Sequence, residues 1–228
     1  MSPKPSAIVY VDAFNLYYGS LRGTSFKWLD LQALFDRLLP DFDVISIYYF
    51  TARLRENANP RDPDAPNRQK TYLKALSTLK RVKVVYGNFL VLPSWAPKRR
   101  RSRFAGFKLP KGWSFGRNTK IWKVEEKGSD VSLGSRMTID ASNQKADLYV
   151  MVSSDSDLAP TIDMILSETD ARIAHCPPRP NKSKRLSACD FVFTIRISHG
   201  ALRDSQLPTE IVLPNSGAKI SAPISWKK

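Results

Sequence analysis

Apolar residues along this chain fall into short blocks that alternate between two spacings. Ala7-Ile8-Val9-Tyr10-Val11 is an unbroken apolar run of strand length, which predicts a strand buried on both faces. From Leu29 to Leu39 the apolar positions Leu31, Leu34, Phe35, Leu38 and Leu39 recur at helical spacing, and Pro40 closes the helix. Val44 to Thr51 is β-branched and aromatic and predicts a second strand. Residues 55–68 hold three prolines and predict a loop, followed by a helix from Asn67 to Leu79. Val82 to Leu92 predicts a strand interrupted at Gly87-Asn88, and Lys120 to Glu126 another strand. Asp130 to Ala141 predicts a weak helix, Asp147 to Ser153 a strand, Leu158 to Glu168 a helix and Ala171 to His175 a strand. A short helix over Lys182 to Ala188, an edge strand over Phe191 to Ile195, and a hairpin from Thr209 to Ser221 complete the pattern.

Strands alternating with helices predict an α/β fold: a Rossmann-like parallel sheet flanked by helices. The expected organisation is one domain over residues 1–200, with a basic Pro/Arg-rich insertion at 93–120. Residues 201–228 are expected to form a hairpin-like C-terminal extension packing on that domain. The chain has 228 residues, and 36 Lys and Arg against 21 Asp and Glu give a net charge of +15. Such a charge attracts polyanions through its field. The insertion interleaves Trp95, Phe104, Phe107, Trp113 and Phe115 with Arg99, Arg100, Arg101 and Arg103. Aromatic rings stack on unpaired bases while cations follow the backbone, so single-stranded RNA is the expected partner. No run reaches the length of a membrane span, so no membrane partner is expected. Two cysteines without paired spacing predict reduced thiols and a cytoplasmic location. A zinc site built from His175, Cys176 and Cys189 lacks a fourth ligand at the usual spacing.

The acidic residues fall where an open α/β sheet binds ligands, beyond the carboxyl ends of its strands. Asp12 ends the first apolar run, and Asp155 and Asp157 follow Leu148-Tyr149-Val150-Met151-Val152. Asp12 suits a helix N-cap, with Asn15 one turn later to orient a water, a phosphate or Asp12 itself. Pro160 starts the helix near Asp157 or Leu158, so Asp157 is expected to cap it and Asp155 to lie outside any cap. Asp130 follows Gly128-Ser129 beside Lys127, a neighbour able to neutralise a phosphate oxygen. Ser153 and Ser154 are placed to bond a phosphate or to support the carboxylates, although turn chemistry also accounts for them. Converging carboxylates repel one another unless a cation intervenes, and oxygen ligands select Mg2+ or Mn2+.

These segments resemble the NYN domain family, a branch of the PIN-like ribonuclease superfamily, and within it the bacterial LabA-like group. The matching motifs are Val9-Tyr10-Val11-Asp12-Ala13-Phe14-Asn15-Leu16-Tyr17-Tyr18, Tyr49-Phe50-Thr51-Ala52-Arg53 and Arg68-Gln69-Lys70-Thr71-Tyr72-Leu73-Lys74-Ala75-Leu76. Glu125-Glu126-Lys127-Gly128-Ser129-Asp130-Val131 and Val152-Ser153-Ser154-Asp155-Ser156-Asp157-Leu158 continue the series. The resemblance implies a PIN-like fold and a divalent-metal-dependent endoribonuclease, with Asp12, Asn15, Asp130, Asp155 and Asp157 as the acidic site. Asp12, Asp130, Asp155 and Asp157 would hold Mg2+ or Mn2+. Ala13 and Ser154 depart from the family pattern without removing a carboxylate. Two other readings stand beside the nuclease: an RNA-binding regulatory module with weak or no catalysis, and a nucleotide-sugar transferase using the Asp155-Ser156-Asp157 motif. The sequence leaves the oligomeric state open.

Overall fold

The computed structural model describes residues 3–54, 62–97, 118–179, 183–214 and 216–226. The first strand, β1 (Ser6–Asp12), runs parallel to β2 (Asp43–Ala52) on one side and to β5 (Leu148–Val152) on the other. Beyond β2 lie β3 (Val82–Pro97) and the antiparallel β4 (Asn118–Lys127). Beyond β5 lie β6 (Ile173–His175) and β7 (Phe193–Thr194), both parallel. The strand order is therefore β4-β3-β2-β1-β5-β6-β7, with six parallel strands. The helices are α1 (Ala13–Leu16), α2 (Leu31–Leu38), α3 (Ala65–Leu76), α4 (Ser129–Ser142), α5 (Ala159–Glu168), α6 (Lys184–Ser187) and α7 (His199–Asp204). A two-stranded hairpin of β8 (Glu210–Val212) and β9 (Lys219–Ser221) follows. The predicted α/β architecture is the one observed.

Side chains alternate across a strand, so β1 feeds two cores. Ala7, Val9 and Val11 pack with α1, α2, α3 and α7 on one face of the sheet. Ile8 and Tyr10 pack with α4, α5 and α6 on the other. The C-terminal segment belongs to the first core. Leu202, Leu207 and Ala222 are buried there, and Trp28 Nε1 donates to the Pro208 carbonyl at 2.9 Å. Among the described residues no helix is long and apolar enough to cross a membrane.

Four sequence expectations need correction. The strand over Val82 to Leu92 is not interrupted at Gly87-Asn88. Gly87 is the last residue of β3 to pair with β2, and Asn88 the first to pair with β4. The turn-like dipeptide marks a change of partner. The expected insertion at 93–120 is shorter than its composition suggests, because β3 continues to Pro97 and β4 starts at Asn118. A long hairpin satisfies backbone groups that a loop would leave to water. Helix α3 begins two residues before the expected start, since Pro66 occupies its first turn, where a proline costs no hydrogen bond. Helix α7 has no counterpart among the predicted elements. It is only six residues long and carries no readable period, yet the Ser198 side chain caps it by accepting from the Ala201 N–H.

Candidate active site at the switch point

The chain leaves β1 to build β2 and β3 on one side, then returns to lay β5 on the other. The gap between β1 and β5 is therefore the topological switch point, where open α/β sheets form their ligand crevice. Asp12 ends β1 there and caps α1, its Oδ1 accepting from the Asn15 N–H at 3.0 Å. Its Oδ2 accepts from Asn15 Nδ2 at 2.6 Å and from Ser153 Oγ at 3.0 Å. The Ser154 N–H donates to Asn15 Oδ1 at 3.3 Å, and the Asp155 N–H to Ser153 Oγ at 3.1 Å. One network thus joins the ends of both strands. Asn15 orients Asp12, one of the three roles its position allowed.

Asp155 is explained by capping after all. Its Oδ1 accepts from the Asp157 N–H at 3.0 Å and caps a 3-10 turn over Ser156–Leu158. Asp157 sits inside that turn and does not cap the helix. The turn shifts α5 to start at Ala159, with Pro160 in its first positions. Asp130 comes from a third direction. Gly128 adopts φ 94°, a left-handed conformation that favours glycine, and turns β4 into α4 so that Asp130 lies in the first helical turn. The side chain of Lys127, and all of Arg99, Arg100, Arg101 and Arg103, lie outside the described residues.

The carboxylates feel one another. Burial raises the Asp12 pKa above its ordinary value; the Asn15 and Ser153 hydrogen bonds oppose that, and Asp155 adds to it. Partial burial first, then the charges of Asp12, Asp155 and Asp157, raise Asp130 to about 6. Yet among the described residues no group of three or more His, Cys, Asp or Glu is arranged to hold a metal ion. Three internal donors already occupy lone pairs on Asp12. The expected Mg2+ or Mn2+ centre of Asp12, Asp130, Asp155 and Asp157 is therefore not assembled. No zinc site forms either, because Cys176 and Cys189 lie in cores on opposite faces of the sheet. Burial pushes their thiols up to about 12 and about 11.

Sequence reasoning weighed His175 only as a zinc ligand and missed its role beside Ser153; it ends β6 and is buried. Its Nε2 lies 2.8 Å from the Ser153 carbonyl and its ring stacks on Phe191, so it steadies the serine that holds Asp12. The available signal was its place at the end of the predicted strand Ala171 to His175.

The raised Asp130 pKa fixes the sign of a stability effect. The folded state holds this proton more tightly than the unfolded chain. Its stabilising contribution is present below about pH 4 and is lost as pH rises through about 6. Asp130 is an exposed residue, so screening shrinks the effect. Asp130→Asn is expected to melt roughly 1–3 °C above the parent at pH 8 and level with it at pH 4. Equal differences at both pH values would contradict the electrostatic account.

Comparison with known proteins assigns the family. Over 96% of its length the chain is 34% identical to the 6-hydroxy-3-succinoylpyridine 3-monooxygenase HspA of Pseudomonas putida, and it covers 74% of that enzyme. This chain belongs to the HspA family. No family model matches it. A crystal structure of a Vibrio parahaemolyticus protein of unknown function shares the fold, with a TM-score of 0.52 and 16% identity over 91% of this chain and 99% of that one. Membership of the HspA family overturns the nuclease reading. The relative is named as an oxidoreductase, so the metal-dependent ribonuclease, its RNA-binding alternative and the Mg2+ or Mn2+ cofactor are withdrawn. The carboxylates that suggested them are real neighbours. Asp12 and Asp155 are held by backbone and side-chain donors within the protein, while Asp130 answers the repulsion with a raised pKa.

Proposed function

We propose that this chain is a monooxygenase acting on a hydroxylated heteroaromatic ring at the switch point between β1 and β5. The observation that supports this reading is the 34% identity to HspA along nearly the whole chain. Descent from the NYN family is a separate proposal, resting only on the motifs quoted above. Monooxygenation puts one atom of dioxygen on the substrate and releases the other as water, consuming two electrons. A flavin or another redox cofactor is the usual carrier. The residues here do not fit a dinucleotide in the manner of Rossmann folds. The turn after β1 reads Asp12-Ala13-Phe14-Asn15, without the glycines that let a pyrophosphate approach, and it places a carboxylate there. The turn after β5 is equally acidic. No step is therefore assigned to a bound cofactor.

The protein's own groups have a role at the ring. A hydroxypyridine becomes more reactive toward an electrophilic oxygen species when its hydroxyl loses a proton. Asp130, exposed and with its pKa pushed up to about 6 by partial burial and the neighbouring carboxylates, is the proposed acceptor, because a base poised near the working pH combines the right charge with enough driving force. Asp12, only 5% exposed and fastened by Asn15 and Ser153, forms the floor of the crevice.

The test supplies the purified chain with 6-hydroxy-3-succinoylpyridine, a reduced nicotinamide, free flavin and isotopically labelled dioxygen. One labelled oxygen atom in the product, dependent on the reductant, is expected. Absence of labelled product with either nicotinamide and either common flavin, across a panel of related hydroxypyridine acids, would overturn the reading.

A further inference from the structure

We infer that Arg179, in the loop after β6, forms an anion subsite for the carboxylate tail of the substrate. The identity of that substrate rests on the monooxygenase reading above. The loop is seated with care. Cys176 N–H donates to the Met151 carbonyl at 2.8 Å as the chain leaves β6. Pro177 and Pro178 then limit the backbone. Ser20 Oγ donates to the Pro178 carbonyl at 2.7 Å. Opposite this loop is Gly19, where a Cβ would lie 2.8 Å from Pro178 Cβ and 3.0 Å from Arg179 Cγ. Only a residue without a side chain lets the stem of Arg179 rest at that place.

The backbone of this seat meets the switch point. The Arg179 N–H reaches Ser154 Oγ at 3.4 Å, and the Ser154 N–H donates to Asn15, the residue that orients Asp12. Arg179 is exposed, and among the described residues no ion pair occupies its guanidinium. An exposed arginine with a fixed stem, one residue contact from an acidic crevice, suits a ligand with two ends. The fork takes a carboxylate through two parallel hydrogen bonds. The ring then lies toward Asp12 and Asp130. A doubly charged phosphate suits the place less, because Asp12, Asp130, Asp155 and Asp157 face the same crevice and repel the second charge.

Equilibrium binding tests the subsite without requiring turnover. 6-Hydroxy-3-succinoylpyridine and its methyl ester are titrated calorimetrically into the full chain, into Arg179→Gln, into Arg179→Lys and into Gly19→Ala. The parent is expected to prefer the acid over the ester by about 10-fold or more. Arg179→Gln should bind both ligands at the ester's affinity, Arg179→Lys should retain part of the preference, and Gly19→Ala should lose most of it by displacing the arginine. The proposal is overturned if the parent binds acid and ester equally, if it binds neither, or if Arg179→Gln keeps the preference for the acid. A preserved preference in a protein that makes no hydroxylated product would sink the monooxygenase reading and leave the subsite standing.

Discussion

Asp130→Asn is expected, under the monooxygenase function proposed above, to lower kcat/KM for a hydroxypyridine by about 100-fold or more, the usual range for removing a positioned proton acceptor. Wild-type activity should rise with pH through about 6, because the Asp130 carboxylate accepts a proton only after losing its own. The variant should keep its fold and lose that acid limb, so the two pH profiles differ in shape as well as height. The assignment depends on three neighbouring charges as well as partial burial. Asp157→Asn removes one of those charges and should move the acid limb to lower pH while sparing most of the activity. An acid limb that survives unchanged in Asp130→Asn would remove Asp130 from its role.

Asp140→Ala is expected to cost about 2–3 kcal/mol of stability, seen as a fall in Tm of roughly 5–10 °C. Asp140 is 1% exposed on the buried face of α4, and its Oδ2 accepts from Tyr10 Oη at 3.0 Å and Arg136 Nε at 2.8 Å. Arg136 in turn donates to Tyr48 Oη at 2.6 Å and lies over the Tyr48 ring, which stacks on Tyr10. Removing the carboxylate strands a buried phenol and unties α4 from β1 and β2. The Arg136 side chain is 42% exposed and regains water, which keeps the cost below that of a fully buried pair. Among the described residues the Asp140 Oδ1 has no hydrogen-bond partner, so Asp140→Asn, which keeps an acceptor for Tyr10, should cost less than the alanine variant. A melting temperature within about 1 °C of the parent for Asp140→Ala would show that the network contributes little.

The two networks illustrate what a linear reading detects. Asp12, Asp155 and Asp157 were legible because each follows an apolar strand, a local pattern that places it at the carboxyl edge of the sheet. Asp130 was legible from its glycine-serine turn. For Asp12 and Asp155, residue type and spacing do not reveal which lone pairs are already taken. Asn15, Ser153 and the Asp157 N–H fill those positions, and only the three-dimensional network says so. Asp140 looked unremarkable late in a helix, yet burial and Tyr10, 130 residues away, make it structurally important. Arg179 and Gly19 carried no motif, since their relation depends on a loop and a helical turn meeting across 160 residues.

Periodicity specified most of the strand and helix sequence, α7 excepted, because the backbone repeats of 2.0 and 3.6 residues imprint on where apolar side chains must fall. It therefore carried the α/β class, the two-faced core and the rim on which the acidic residues stand. Packing settled the rest. The partner change at Gly87-Asn88, the filling of the carboxylate lone pairs and the seating of Arg179 against Gly19 all arise between segments remote in sequence. Such contacts follow from shape and hydrogen-bond geometry in space, and they leave no periodic trace along the chain.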